Sequence, residues 1–470
     1  MRTAVMLLFR SRRRRSRWSS RQPSRYRWLI VLLILVAAPV GLELLARLIT
    51  NWTGFNEQVR EDSSLKRMHA YQLQFVNIDG QPYEENAANG ELLIVRSPLL
   101  GYQLLPNQKN SFWTVNQQGF RDEEMTPIEK PAGEIRIFLL GGSTAFGQLS
   151  SNNEITLAYQ LEARLNQRVA QQRANPDKFQ PEVLPYWADK VQEALALPPR
   201  IRDGQYRVIN AAVPGYASGN ELAQLMKRVV NYDPDIVVVL NGYADLLLPS
   251  SQLGADIPGL ENLLVGETPG IGSQIGEQIQ SWFHQLSAVQ VYEHYTQGRQ
   301  PAQATLATPL NLASVEAEAS LSNSLGADEA ELKQRILRYR NHMRQMAQWA
   351  SSTQKRLVIG LQPEITGRNP ENMTSAEAEI VVGLGDAYKQ WMQIGYDQLA
   401  AAANQVAQSS ANISMLNLYQ LYKSFEGHAF QSPISLTDEA NMVLAEQFYQ
   451  AIATELTLRP GSFTGRKPRR

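Results

Sequence analysis

The sequence predicts a three-layer α/β/α domain on a parallel sheet, and three observations predict it. Short, nearly continuous apolar runs recur along the chain, as expected for strands covered on both faces. Helical patterns alternate with them. Several runs end in Gly or Asn followed by a new helical pattern, the place where chemistry collects in such sheets.

Before that domain comes a different kind of segment. Residues 1–28 hold ten Arg and no Asp or Glu, so the neutral balance of 45 basic and 45 acidic side chains hides a remainder of 35 against 45. From Trp28 to Ile49 the chain reads WLIVLLILVAAPVGLELLARLI, long enough for a helix of roughly 33 Å. Its charge-free heart, Leu29 to Leu42, is short enough to fit a cleaved signal peptide too. The apolar pattern continues past Glu43 and Arg47, which favours a retained transmembrane signal-anchor helix over residues 28–50. The Arg block places residues 1–27 in the cytoplasm and the main domain outside it, on the periplasmic side if the source is bacterial. A neutral overall charge argues against a dedicated nucleic-acid binder. The absence of Cys excludes disulfides, thiol nucleophiles and Cys-ligated metals.

Residues 51–134 mix polar stretches with short apolar runs of no clear period and read as an irregular lead-in. The domain proper, 135–457, opens on the strand Ile135 to Leu140, followed by strands Tyr206 to Asn210, Asp235 to Leu240, Arg356 to Leu361 and Ile413 to Leu418. Helical patterns cover Glu154 to Gln172, Gly219 to Asn231, Asp328 to Ser351, Asp386 to Gln408 and Thr437 to Leu456. Residues 174–205 carry five prolines and read as a surface excursion. Residues 246–327 form an insertion whose Gln/Ala/Ser/Thr-rich second part reads as flexible or lid-like. The tail, 458–470, ends in the basic run GRKPRR.

Ser143 stands in GGSTAFG, where a strand runs into a helix and small residues permit a tight turn. The spacing is neither GxSxG nor a phosphate loop, and taken alone Ser143 reads as a helix cap. The next strand leads to AAVPGYASGNEL with Gly215 at the turn, and the third leads to NGYADLLLP. With GYQLLPN, TVNQQGFRDEE, RIFLLGGSTAFG and the late stretch PISLTDEANMVLAEQF, these blocks resemble the SGNH hydrolases, the GDSL esterase/lipase family, in its membrane-anchored bacterial form. The likeness covers about residues 97–245 and 356–457.

The resemblance implies a five-stranded, flavodoxin-like parallel sheet and a Ser-His-Asp esterase site, with no metal and no cofactor. It assigns the nucleophile to Ser143 and an oxyanion glycine to Gly215. The family's oxyanion Asn falls on Ala244, its Asp on Ser432 and its His on Ser435. Such losses are severe, because a serine hydroxyl needs a base both to attack and to protonate the leaving group. Removing the base alone costs about 10⁶ in turnover in a comparable serine enzyme.

Few residues offer a replacement. His428, in the loop FEGHAFQS, is a candidate displaced base whose ordinary reading is a solvated loop histidine. Asn241 is a candidate oxyanion donor whose ordinary reading is a strand-end backbone partner. Asp245 keeps its family position and reads as a loop or helix cap, and Ser435 with Asp438 reads as a capping pair. His69, His284, His294 and His342 show no metal-ligand spacing. The expectation is therefore a degenerate domain that binds an acylated or acetylated envelope glycan, a lipid or an envelope protein. Two alternatives remain: an active esterase or acyl-transferase using Ser143 with His428, and a structural subunit of an envelope-assembly complex docking through 246–327.

Overall fold

A computed structural model of the chain describes residues 64–462 apart from 78, 82–89, 98–99, 253–324 and 327. The anchor expected at 28–50, most of the insertion and the basic run of the tail lie outside the described residues. Among those described, no helix is long and apolar enough to cross a membrane.

The unit Lys66–Arg470 carries the sheet. Its strands are β6 (Glu134–Gly141), β7 (Gln205–Asn210), β8 (Ile236–Asn241), β9 (Arg356–Leu361) and β10 (Ile413–Asn417), in the order β10-β9-β8-β6-β7 and parallel throughout. Counted along the domain, that is order 2-1-3-4-5, the flavodoxin-like arrangement whose switch point falls between β6 and β8. Each predicted strand forms within a residue of its expected bounds. The cause is burial: every residue of β8 and all but the first of β6 are buried, so nearly unbroken apolar runs were required.

Helices cover both faces. On one side pack α2 (Leu157–Ala174) and α8 (Asp438–Glu455); on the other pack α4 (Ser218–Lys227), α6 (Glu329–Ser352) and α7 (Ser375–Ala407). The short α1 (Ser143–Phe146) and α5 (Tyr243–Leu247) follow β6 and β8 directly, and α3 (Ala188–Ala196) lies within the excursion. Gly360 in β9 has no room for a side chain, because a Cβ there would lie 2.7 Å from the Phe448 ring of α8.

Two expectations need correction. Helix α7 begins at Ser375, eleven residues before Asp386, and breaks at Gly385, whose φ of 79° is not helical. Its true start carries a capping box: Thr374 Oγ1 accepts from Glu377 N–H while the Glu377 carboxylate accepts from Thr374 N–H. The lead-in is not irregular. It holds β1 (Leu73–Val76), β2 (Leu92–Ser97) and β3 (Gly101–Leu104) in one sheet, and β4 (Gln108–Lys109) paired with β5 (Thr114–Val115). Strands of two to six residues are too short for periodicity to register.

Candidate active site

Ser143 is the first residue of α1, at the carboxyl end of β6 and beside the topological switch point. Gly142 is the N-cap, and the Ser143 side chain makes no capping bond, which overturns the helix-cap reading. Its Oγ is buried and has no hydrogen-bond partner. The Gly215 turn abuts this residue's turn. Val213 N–H donates to the Gly141 carbonyl at 3.0 Å, and a Cβ on Gly142 would lie 3.1 Å from the Tyr216 carbonyl oxygen. Gly215 has a φ of 84°, a conformation that favours glycine. Among the described residues its N–H donates to no carbonyl. Together with the unpaired amides of the first turn of α1, it leaves backbone donors at two adjoining strand ends.

The position that the resemblance gives to a third donor holds alanine. Ala244 sits in the first turn of α5 with only a methyl group to offer. Asn241 does not replace it. Its Nδ2 donates to Glu221 and its Oδ1 accepts from the Tyr339 hydroxyl at 3.2 Å, so both ends of the amide are engaged, while its backbone carbonyl accepts from Gln362 N–H at 2.9 Å, the strand-end role expected.

The base and acid positions hold hydroxyls. Ser435 is fully buried and its Oγ has no partner; Ser432 Oγ accepts from Ser435 N–H at 3.0 Å. The expected Ser435–Asp438 cap is not formed. Thr437 caps α8 instead, accepting from Ala440 N–H, while Asp438 accepts from Ser151 N–H at 3.1 Å. The loop bearing Ser435 is tied to α1 through Thr144, whose hydroxyl donates to the Ile434 carbonyl at 3.0 Å and accepts from Gln362 Nε2 at 2.9 Å.

His428 is exposed, and its Nε2 lies 2.7 Å from the Phe430 carbonyl. It makes no hydrogen bond to Ser143, whose Oγ has none. The loop that bears it is tied down by Glu377, which accepts from the Ala429 and Phe430 amides, each at 3.0 Å, and pairs with Arg368 at 3.0 Å. Burial pushes the Glu377 carboxyl up, but the Thr374, Phe430 and Ala429 amides outweigh it and hold the group below its ordinary value.

A second polar cluster lies behind the strand ends. Asp245 accepts from Ser218 N–H at 3.1 Å and from Ser218 Oγ at 2.5 Å, tying down the start of α4 from outside that helix, and Ser218 Oγ lies 2.7 Å from His342 Nδ1. The residue types are those of a triad, but the order is wrong. In a working triad the carboxylate orients the histidine and the histidine accepts from serine. Here Ser218 Oγ donates its one hydrogen to Asp245, so His342 Nδ1 faces the hydroxyl oxygen rather than taking its proton. Burial raises Asp245, and burial and then Asp245 raise Glu221. Sequence reasoning missed this cluster because His342 lies on a long helix, far in sequence from both partners.

Glu364, three residues past β9, was also missed. It is fully buried, accepts from Thr366 N–H at 2.9 Å and from the Thr366 hydroxyl, and lies 3.1 Å from the Tyr388 hydroxyl. Burial pushes its carboxyl up to about 7 against the pull of those hydrogen bonds. An open cleft of about 190 Å³ lies elsewhere, between Arg121, Asp122, Glu154, Tyr159, Glu162 and Arg207. Its Arg207 is already paired with Asp122 at 2.7 Å and Glu162 at 3.1 Å. No group of His, Asp and Glu among the described residues is arranged to hold a metal.

The lead-in packs on the Gly215 turn. Tyr102 donates to the Pro214 carbonyl at 2.8 Å, Tyr216 donates to the Tyr102 carbonyl, and Asn220 Nδ2 donates to the Leu100 carbonyl at 3.0 Å. Arg121, from the block TVNQQGFRDEE, reaches α1 itself and donates to the Phe146 and Gly147 carbonyls at 2.9 and 2.8 Å.

No family model and no curated protein matches this sequence. Among solved structures, an acetyl xylan esterase shares 9% identity over 68% of this chain and 100% of its own, with a TM-score of 0.33. A GDSL-like lipase from Bacteroides thetaiotaomicron shares 12% over 68% and 89%, with a TM-score of 0.30. A catalytic mutant of an acetylxylan esterase from Geobacillus stearothermophilus shares 11% over 68% and 94%, with a TM-score of 0.32. Overlaps this loose carry no chemistry across. The strand order is flavodoxin-like, and it brings Ser143 and Gly215 to adjoining strand ends.

Proposed function

We infer that this chain is a membrane-anchored, extracytoplasmic protein that keeps the SGNH-hydrolase fold and has lost its ester-cleaving machinery. One observation carries the reading: the Ser143 hydroxyl has no hydrogen-bond partner, so no His, Asp or Glu among the described residues is in place to take its proton. Without a base, the hydroxyl is a weak nucleophile and the leaving group goes unprotonated. Ala244 removes a side-chain oxyanion donor, a loss of roughly 10²–10³ where such donors have been deleted. What remains is a strand-end site with free backbone donors, suited to holding a carbonyl or other acceptor. The ligand class proposed is an acylated glycan or lipid of the envelope, on the strength of the sequence resemblance. The anchor at 28–50 supplies the envelope location.

The test is fluorophosphonate labelling of the full chain in mild detergent beside Ser143→Ala, with both assayed on a short-chain aryl ester. The expected result is equal labelling and equal background hydrolysis in two folded proteins. Labelling and turnover that vanish in Ser143→Ala would overturn the reading and make His428 the first base to mutate.

A further inference from the structure

We propose that Glu364 is a proton-operated latch on the strand-end site, closed while its carboxyl holds a proton and released when it ionises. The proposal rests on the reading of that site as the place where a ligand is held. Glu364 stands between two walls of the site. Its carboxyl caps the short 3₁₀ turn Ile365–Gly367, accepting from Thr366 N–H at 2.9 Å. The first amide of that turn, Ile365 N–H, donates to the Pro433 carbonyl at 2.9 Å. Pro433 belongs to the loop of Ser432 and Ser435, and the next carbonyl, that of Ile434, accepts from the Thr144 hydroxyl at 3.0 Å, one residue from Ser143. On its other side the carboxyl lies 3.1 Å from the Tyr388 hydroxyl, which lies 3.1 Å from the Tyr243 hydroxyl, one residue before Ala244. One carboxyl therefore bears on the loop of Ser435 and on the start of α5 together.

The surroundings suit a neutral acid better than a carboxylate. Facing it are Tyr388 and Tyr396 of α7, Tyr243 of α5, Tyr419 beyond β10 and Thr366 of its own turn. Burial raises all four phenols above their ordinary value, so they stay neutral where Glu364 titrates. Arg368, the cation that follows the turn, is taken up by Glu377 at 3.0 Å. Glu364 itself is fully buried, and its hydrogen-bond partners are hydroxyls and one amide. The single Tyr388 hydrogen cannot serve Glu364 and Tyr243 together, so the network is complete only when Glu364 is the donor. Ionisation removes that donor and leaves a buried charge paired with no cation among those partners. Turning the carboxylate to water relieves it, and the 365–367 turn must then part from the Pro433 loop.

The chain has no Cys, so Ser435→Cys, a near-isosteric change at a fully buried position, reports opening of the loop through its thiol. Ala347→Cys, buried midway along α6, reacts only on global unfolding and sets the floor. The full chain is held in mild detergent. Its rate of maleimide labelling is divided by that of the urea-unfolded chain at the same pH, which cancels the thiol's own titration. An opening that returns the acid from about 7 to its ordinary 4.5 grows about 25-fold between pH 5.5 and pH 8. That rise is expected at 435 and is absent when Glu364→Gln is added. At both pH values the ratio at 435 stays at least about tenfold above that at 347, as local opening requires. Amide hydrogen exchange over residues 429–436 of the Cys-free chain reads the same opening if Ser435→Cys does not fold. A ratio at 435 that is flat with pH, an equal rise in Glu364→Gln, or a ratio no greater than that at 347 overturns the proposal. Ser143-dependent ester cleavage overturns the reading of the site instead and leaves the pH response standing.

Discussion

Replacing Glu364 by Gln will make the protein more stable at pH 8 than the wild type and will flatten its stability between about pH 4.5 and 7. The carboxyl is raised from 4.5 to about 7 in the folded chain, so the folded state holds a proton there that the unfolded state releases. Stability is therefore undiminished below the unfolded value, falls as pH rises through this window, and is fully reduced above it. A displacement of that size corresponds to roughly 3 kcal/mol. The hydrogen bonds agree with a protonated acid. The single Tyr388 hydrogen cannot serve both Glu364 Oε1 and the Tyr243 hydroxyl, each at 3.1 Å. A protonated Glu364 donating to Tyr388 frees that hydrogen for Tyr243. Glutamine reproduces this pattern, its NH₂ donating to Tyr388 and its oxygen accepting from Thr366. Urea unfolding of both proteins at pH 5 and pH 8 is the measurement, and parallel pH dependences would refute the assignment.

Replacing Arg121 by Met will cost about 3 kcal/mol, the upper end of what hydrogen bonds to a charged group contribute. The Arg121 side chain is buried and its guanidinium is surrounded by neutral acceptors: the Phe146 and Gly147 carbonyls, Tyr71 Oη at 2.9 Å, Ser150 Oγ at 3.0 Å and Asn153 Oδ1 at 2.9 Å. Burial lowers its pKa, and the nearby Tyr71 partly offsets this. Its loss removes a charged donor from several buried acceptors at once, leaving the carbonyls that end the Ser143 helix to Asn210 Nδ2 and Ser150 N–H. Lysine will not rescue it, because a single ammonium cannot reach in the several directions that a planar fork does. A urea midpoint for Arg121→Met within about 1 kcal/mol of wild type, a surface-scale effect, would show that these bonds do not hold the turn.

The Arg121 case also shows how far the sequence could be read. GFRDEE was legible as part of a resemblance, but nothing in it said that the guanidinium would end on the carbonyls of α1. The inner strands β6, β8 and β9 were legible because they are buried on both faces, so burial wrote a nearly unbroken apolar run into the chain. The start of α7 was legible in principle through its Thr374–Glu377 box, and Gly385 hid it by breaking the helical period.

The sequence by itself determined the alternation that makes the sheet, the place of Ser143 and Gly215 at strand ends, and the Ala244, Ser432 and Ser435 that stand where the resemblance expects Asn, Asp and His. Those are properties of residue type and order along the chain. Only the tertiary structure decided that Ser143 and Ser435 are buried without partners, that Asn241 turns its amide to Glu221 and Tyr339, and that Asp245, Ser218 and His342 meet. The physical reason is range. Periodicity and turn chemistry act over a few neighbours, whereas a hydrogen bond between residues 124 positions apart exists only once helices α4 and α6 pack on the same face of the sheet.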